Sequence, residues 1–242
     1  AEVADIVAAV VAAVTVPAPA GPPPGDLAGV RVLVTAGGTR EPIDPVRFIA
    51  NRSSGRQGHA VAAEAAAQGA SVTLVTTSDL APPPGVEVVA VETAAEMEGV
   101  VLARLAEVDV VVMAAAVADF RPKAPAGEKL KRADGLPELV LEPTPDILGA
   151  VCAARRPGVI VVGFAAETTD LTTRAAAKQA RVGADLMVAN DVTVPGAGFG
   201  HDTNQVVLLH RDGREQAVAM TTKAEVARLV LHAVARLLRR NP

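Results

Sequence analysis

Three short segments of this 242-residue chain combine glycine, small hydroxyl side chains and charge in a way that suits an anionic ligand carrying a flat ring. The first is Thr35-Ala36-Gly37-Gly38-Thr39, continuing into Glu41-Pro42-Ile43-Asp44-Pro45. Two glycines directly after a β-branched run let the backbone approach a ligand closely. The second is Asn51-Arg52-Ser53-Ser54-Gly55, with Gly58 one turn on. Ser53 or Ser54 is placed to cap a helix, and the exposed N–H groups of a helix start, with its dipole, form an anion site. Arg47, Arg52 and Arg56 gather beside it, which favours phosphate binding over a plain helix cap. The third is residues 114–122 (AAAVADFRP), followed by Lys129, Lys131 and Arg132. Small residues leave room for a ring, Asp119 can accept from ribose hydroxyls or help hold a cation, and lysines offset phosphate charge. For Lys129 a solvated surface lysine is an equal alternative.

Weaker signals follow. Pro143-Thr144-Pro145-Asp146 reads first as a helix N-cap with proline punctuation. Phe164, in the string GFAAET, either stacks on a base or plugs the core, and Lys178 falls mid-helix. His59, His201, His210 and His232 lack metal-ligand spacing, and no Ser/His/Asp or Cys/His set is evident. The one cysteine, Cys152, excludes an intrachain disulfide and a Cys-rich metal site, fits a reducing compartment, and reads as a buried structural thiol.

The elements that must position these residues alternate. Short apolar runs at 30–35, 71–76, 86–91, 109–113, 159–163 and 185–189 read as strands, with a further short strand at 138–141. Helical stretches fall at 55–69, 93–107, 146–154 and 171–182. That alternation implies a Rossmann-like, doubly wound α/β fold with a mostly parallel sheet. The end differs: 205–210 and 216–220 form a hairpin turning on Asp212-Gly213, and an amphipathic helix at 223–239 closes the chain. In such a sheet ligands sit at the carboxyl ends of the strands, which is where all three segments fall. Residues 1–16 read as an Ala/Val helix and 17–25 as a stiff proline-rich linker, so composition allows 1–25 to be either the tail of a preceding domain or a disordered N-terminal arm, with the nucleotide-binding domain expected over 26–242.

Half the residues are apolar, but there are four Phe and no Trp or Tyr, which suits small-residue helices on Val-rich buried strands. The net charge of −4, with interspersed signs, argues against a general nucleic-acid binder. No apolar run near the start is long enough to span a bilayer, and no Lys or Arg precedes it as in a signal peptide. A nicotinamide oxidoreductase is the default alternative for this fold. It is weakened because no G-x-G-x-x-G follows the first strand, and the short-chain type needs a catalytic Tyr. A nucleotide-sensing module without catalysis remains a third reading.

Taken together, VLVTAGGTREPIDPVRFIANRSSGRQG, AAAVADFRPK, KLKR, PTPDIL, GFAAET and DLMVAND, in that order, resemble the bacterial phosphopantothenate–cysteine ligase family. The resemblance implies a CTP-dependent synthetase of coenzyme A biosynthesis that makes an acyl-cytidylate from 4′-phosphopantothenate and then joins it to L-cysteine. It implies that Gly37, Gly38, Ser53, Ser54 and Gly55 cradle the triphosphate, that Ala115, Ala116, Asp119, Phe120 and Lys129 hold ribose and cytosine, and that Pro145, Asp146, Ile147, Leu148 and Phe164 line the nucleotide pocket. Lys178 would reach the phosphates, Lys129 would help form the intermediate, Asn51 would hold it for the cysteine step, and Arg47 would bind the substrate phosphate. Mg²⁺ would be held by nucleotide phosphates, with Asp119 as the candidate protein ligand. The family further implies a cytoplasmic homodimer with no nucleic-acid or membrane partner, fused behind a decarboxylase domain that alone carries FMN. Relatives often carry a second lysine where this chain has Val182, with Arg181 as the available substitute. Physics alone does not choose CTP over ATP.

Overall fold

The computed structural model describes residues 25–135 and 137–240; residues 1–24 of the expected tail and proline-rich segment lie outside the described residues. Twelve strands and five α-helices follow in chain order. They are β1 (Arg31–Ala36), β2 (Arg40–Pro42), β3 (Phe48–Ala50), α1 (Arg56–Ala67), β4 (Ser71–Thr76), β5 (Val86–Ala90), α2 (Ala94–Arg104) and β6 (Val110–Met113). Then come β7 (Phe120–Pro122), β8 (Leu141–Pro143), α3 (Ile147–Ala154), β9 (Ile160–Glu167), α4 (Leu171–Val182), β10 (Leu186–Asp191), β11 (Thr203–His210), β12 (Glu215–Thr222) and α5 (Lys223–Arg240).

Eight strands form one sheet in the order β5-β4-β1-β6-β9-β10-β11-β12. The six from β5 to β10 are parallel, and β11 and β12 are antiparallel additions. The order reverses at β1, so its boundary with β6 is the topological switch point of a doubly wound sheet.

The central strands β1, β6, β9 and β10 are buried on both faces, and their alternation divides two cores. Val32 and Val34 of β1 join Val61 and Ala65 of α1 and Val226, Val230 and Leu231 of α5. Leu33, between them, joins Met97 of α2, Val151 of α3 and Ala175 of α4 on the opposite face. The crossovers α3 and α4 both pack on that second face, so α5 is what covers the β9–β11 half of the first. Cys152 is half-buried against the second core, where burial pushes its thiol up.

The expected strand at 138–141 is displaced to β8, because pairing sets the boundary: Phe120↔Pro143, Arg121↔Glu142 and Pro122↔Leu141 are the antiparallel partners. β2 and β3 form a second small hairpin inside the insertion after β1. The buried Glu41 of β2 accepts from Ala94 N at 2.9 Å, tying that hairpin to the start of α2. Thr93 and Glu96 complete a reciprocal capping box there.

At the opposite end of the sheet Asp109 gathers Arg31 (Nη2 at 2.8 Å, Nε at 3.0 Å, backbone N at 3.1 Å) and Arg156 (Nη2 at 2.8 Å). The Arg31 guanidinium, aided by Arg156, holds this carboxyl down at about 2. A depressed folded-state value contributes stability above the unfolded-state pKa of about 4 and loses it as pH falls toward 2. Asp109→Asn is therefore expected to be less stable than the parent at pH 7, with the gap narrowing between about pH 4 and 2. Denaturant titrations across that range check this, and a constant gap would refute it.

Candidate functional site

At the switch point the carboxyl ends of β1 and β6 are tied together by side chains that the strand sequences themselves supply. Thr35 Oγ1 accepts from Ala115 N (3.1 Å) and Thr39 Oγ1 from Ala118 N (2.9 Å). Ala116 N donates to Gly37 O (2.8 Å), and Gly38 bridges Ala116 in parallel register. Both threonines are buried, so they act as internal acceptors rather than ligand groups. Residues 114–118 are thus laid down as a fixed backbone ledge. Asn51 extends the ledge by donating its Nδ2 to Val117 O (3.0 Å).

The glycines beside this ledge are required by packing. A Cβ on Gly37, whose φ is +90°, would lie 2.2 Å from Thr77 Oγ1, and one on Gly38 would lie 2.7 Å from Asn51 O. A Cβ on Gly58 would lie 2.5 Å from Ala36 Cβ and 2.7 Å from Thr35 O, so α1 crosses β1 with no room for a side chain. The expected serine cap is corrected. Gly55, at φ +81°, is the N-cap of α1, and no side chain caps the helix. Ser53 Oγ reaches only Gly55 N, at 3.4 Å. A left-handed turn at this position excludes a serine, and it leaves the first-turn N–H groups without a side-chain acceptor, which is what an anion site requires.

These elements wall a cavity of about 540 Å³. Asn51, Ser53, Ser54 and Gly55 enter from the α1 side, and Ala115, Ala116 and Asp119 from the ledge. Pro145, Asp146, Ile147 and Leu148 come from the start of α3, Phe164 from β9 and Lys178 from α4. Phe164 packs against the first core and also lines the cavity. Asp146 is the N-cap of α3, with Oδ1 on Gly149 N (3.0 Å) and Oδ2 on Arg181 Nη1 (2.9 Å). Burial opposes its ionisation, but the Gly149 N–H, Arg181 and Lys178 outweigh that and hold the carboxyl below its usual range. Arg181 and Lys178 both line the cavity, whereas Val182 turns to the second core.

Gly37, Gly38, Arg47, Phe120 and Lys129 lie outside this wall. Gly38 lines a shallower depression of about 380 Å³ with Arg40, Phe48 and Thr77, and Asn51, Ser53 and Ser54 stand between the two hollows. Phe120 is 56% exposed on β7, and Lys129 is exposed in the loop after it.

Sequence reasoning missed the far end of the cavity, where Gln57, Asn190, Phe199, Asn204 and Lys223 meet. Asn204 Oδ1 accepts from Gly198 N (3.2 Å) and Gln205 N (3.1 Å), which leaves its amide nitrogen for a ligand. The buried Lys223 donates to Gly198 O (2.8 Å) and to His201 O; burial, with Arg56 nearby, lowers its pKa. Asn190 carried a usable signal, a polar residue ending a buried strand. The others come together only through the hairpin and α5.

Over residues 27–238 the chain matches the family described as DNA/pantothenate metabolism flavoprotein C-terminal domain. It is 48% identical over 223 residues to the coenzyme A biosynthesis bifunctional protein CoaBC of Mycobacterium tuberculosis, covering 87% of this chain and 53% of that protein. It is 43% identical over 203 residues to a cysteine/cysteine sulfinic acid decarboxylase from an unknown prokaryotic organism, covering 83% of this chain and 56% of that protein. The chain thus spans about half the length of the curated relatives it matches. Among solved structures, the crystal structure of the C-terminal domain of coenzyme A biosynthesis bifunctional protein CoaBC matches with a TM-score of 0.76 at 38% identity, covering 89% of this chain and 99% of that one.

The glycine crossing generates a direct test. Gly58→Ala should gain helix propensity yet destabilise the protein by about 1–3 kcal/mol, because the added Cβ meets backbone and a short side chain. Urea denaturation measures this, and a neutral or stabilised variant would show that the crossing has slack.

Proposed function

We infer the function of this chain from its site and its family, and it belongs to the DNA/pantothenate metabolism flavoprotein C-terminal domain family. The reading is a CTP-dependent phosphopantothenate–cysteine ligase of coenzyme A biosynthesis. The observation that carries it is the meeting, in one cavity, of an uncapped helix start, a ring-sized recess and paired cations drawn from five separate segments. Ser53, Ser54, Gly55, Ala115, Ala116, Asp119, Pro145, Asp146, Ile147, Leu148, Phe164 and Lys178, which the family resemblance assigns to one nucleotide, all line this cavity.

In this reading the carboxylate of 4′-phosphopantothenate attacks the α-phosphorus of CTP, pyrophosphate departs, and an acyl-cytidylate forms. The amine of cysteine then attacks the acyl carbon, CMP leaves with the bonding pair, and the amide results. A carboxylate is a poor acyl donor until its oxygen becomes part of a good leaving group, so the first step is the reason for the nucleotide. That step brings anions together, and the α1 N–H groups, Lys178 and Arg181 offset the repulsion. Asn51, held by Val117 O, keeps its side-chain oxygen for the incoming amine. From the rim, Lys129 helps form the acyl-cytidylate and Arg47 binds the phosphate of the acid.

No three acidic, His or Cys side chains converge as a metal site among the described residues. Asp119 lines the cavity, and the neighbouring Asp146 is already paired. This donor set fits Mg²⁺ carried mainly on phosphate oxygens, where the ion supplies charge neutralisation of the departing pyrophosphate. The preference for CTP rests on the resemblance.

Exposed Val46, Phe48, Phe120, Val140 and Leu141 on and beside the two small hairpins favour pairing with a second copy. The same family reading proposes a preceding FMN-bearing decarboxylase domain and a cytoplasmic setting. No helix among the described residues is long and apolar enough to cross a membrane.

The test is pyrophosphate release with CTP, ATP or no nucleotide, in the presence of phosphopantothenate, followed by amide formation on adding cysteine. CTP-dependent release is expected. Folded protein releasing none with any nucleotide would end the ligase reading; nicotinamide binding would then favour an oxidoreductase, and CTP binding without turnover a sensor. Asn51→Asp should keep pyrophosphate release and lose amide formation by about 100-fold, while Lys129→Gln should lose release itself by a similar factor. Equal loss of both steps in both variants would refute this division of labour.

A further inference from the structure

The cavity accounts for Asn51 and Lys178 but leaves Lys129 in an exposed loop after β7. That loop is held to the body of the protein through one turn, residues 43–47. Ala126 N donates to Ile43 O (2.8 Å), Leu130 N to Asp44 Oδ2 (3.2 Å), and Arg47 Nη2 to Leu130 O (2.9 Å). The Asp44 carboxylate has no solvent exposure. Its two oxygens divide the work. Oδ1 accepts from Val46 N and Arg47 N, both at 2.8 Å, and so closes the turn. Oδ2 accepts from the Arg47 guanidinium (Nε at 3.0 Å, and Nη2) and from Leu130 N. The Arg47 guanidinium, with the Val46, Leu130 and Arg47 N–H groups, holds the carboxyl well below the usual carboxylate range despite its burial.

We propose that Asp44 is a positioning residue that locks Arg47 and the Lys129 loop into one unit, so that the guanidinium that binds the substrate phosphate and the lysine that helps form the intermediate keep a fixed spacing. The roles of Arg47 and Lys129 in this proposal rest on the ligase reading; the tether itself does not. Arg47 spends Nε and Nη2 on the lock, and its remaining guanidinium nitrogen is the donor left for a phosphate oxygen. The residue type is specified by the geometry. A glutamate is one methylene too long to close the Oδ1 turn. An asparagine keeps that turn but turns an N–H₂ toward two donors, Leu130 N and the guanidinium.

Asp44→Asn therefore cuts the tether and spares the turn. Hydrogen exchange of residues 126–132 should speed up by about 10-fold, with β1 and α1 unchanged. In the full chain, kcat for pyrophosphate release should fall by about 10- to 100-fold, and by more than KM for the nucleotide rises, because the α1 start and Lys178 are untouched. Ala126→Pro, which removes the donor to Ile43 O without touching Asp44, should move both readings the same way by a smaller factor. Unchanged exchange in 126–132 would overturn the proposal. So would faster exchange spread through β1 and α1, or a rise in KM at constant kcat. Wild-type protein without pyrophosphate release would sink the ligase reading, and the exchange measurement would still decide whether Asp44 holds the loop.

Discussion

The crossing of α1 over the end of β1 is the contact on which the site is built. Helix and strand meet at Gly58 and Ala36 with no space for a further carbon, and the turn into the helix is left-handed at Gly55. That closeness brings the first turn of α1 to the switch point of the sheet. With no side chain capping the helix, its N–H groups are left for an anion instead of being satisfied internally. Thr35 of β1 and Thr39 in the turn after it do the complementary job on the β6 side. Their hydroxyls hold residues 115 and 118 as an extension of the sheet, so the recess has a backbone floor that does not depend on ligand.

Charge is arranged around this floor with different degrees of freedom. Lys178 and Arg181 stand on one helix face, and Asp146 is shared between capping α3 and pairing Arg181. The pair is exposed at the cavity mouth, where screening keeps such an ion pair weak, so Arg181 can be exchanged onto a phosphate at little cost. Val182 shows why the substitution is local: its position along α4 faces the second core, and a cation there would have to leave apolar surroundings to reach the cavity. Lys223 is different, since it is buried and fixed to two carbonyls of the 198–201 loop, and it shapes the far wall instead of moving charge.

The rim is held more lightly than the floor. The two small hairpins and the loop after β7 carry most of the exposed large apolar side chains, and few of their backbone groups are paired with the main sheet. Asp44 compensates at one point by concentrating the donors of two chain segments on a single carboxylate.

Much of this was written in the chain. The alternation of Val-rich runs with Ala-rich helices determined a doubly wound sheet, since strands apolar on every residue must be covered on both faces. Small residues at strand ends marked where the cavity opens, and Asp146 announced its own helix cap. Other features depend on which segments meet. The serines at 53 and 54 looked like caps because sequence carries no φ; the backbone instead passes through the left-handed region at Gly55. The packing partners of Gly37 and Gly38, Thr77 and the Asn51 carbonyl, are distant in sequence and known only once the insertion folds back. Asn204 and Lys223 join the cavity through antiparallel strands and a terminal helix that no local pattern links to it. The sequence by itself determined the layers, the strand ends and the chemistry on offer there. Tertiary structure decided which glycines pack and which groups face the ligand, because those depend on close contacts between residues far apart in the chain.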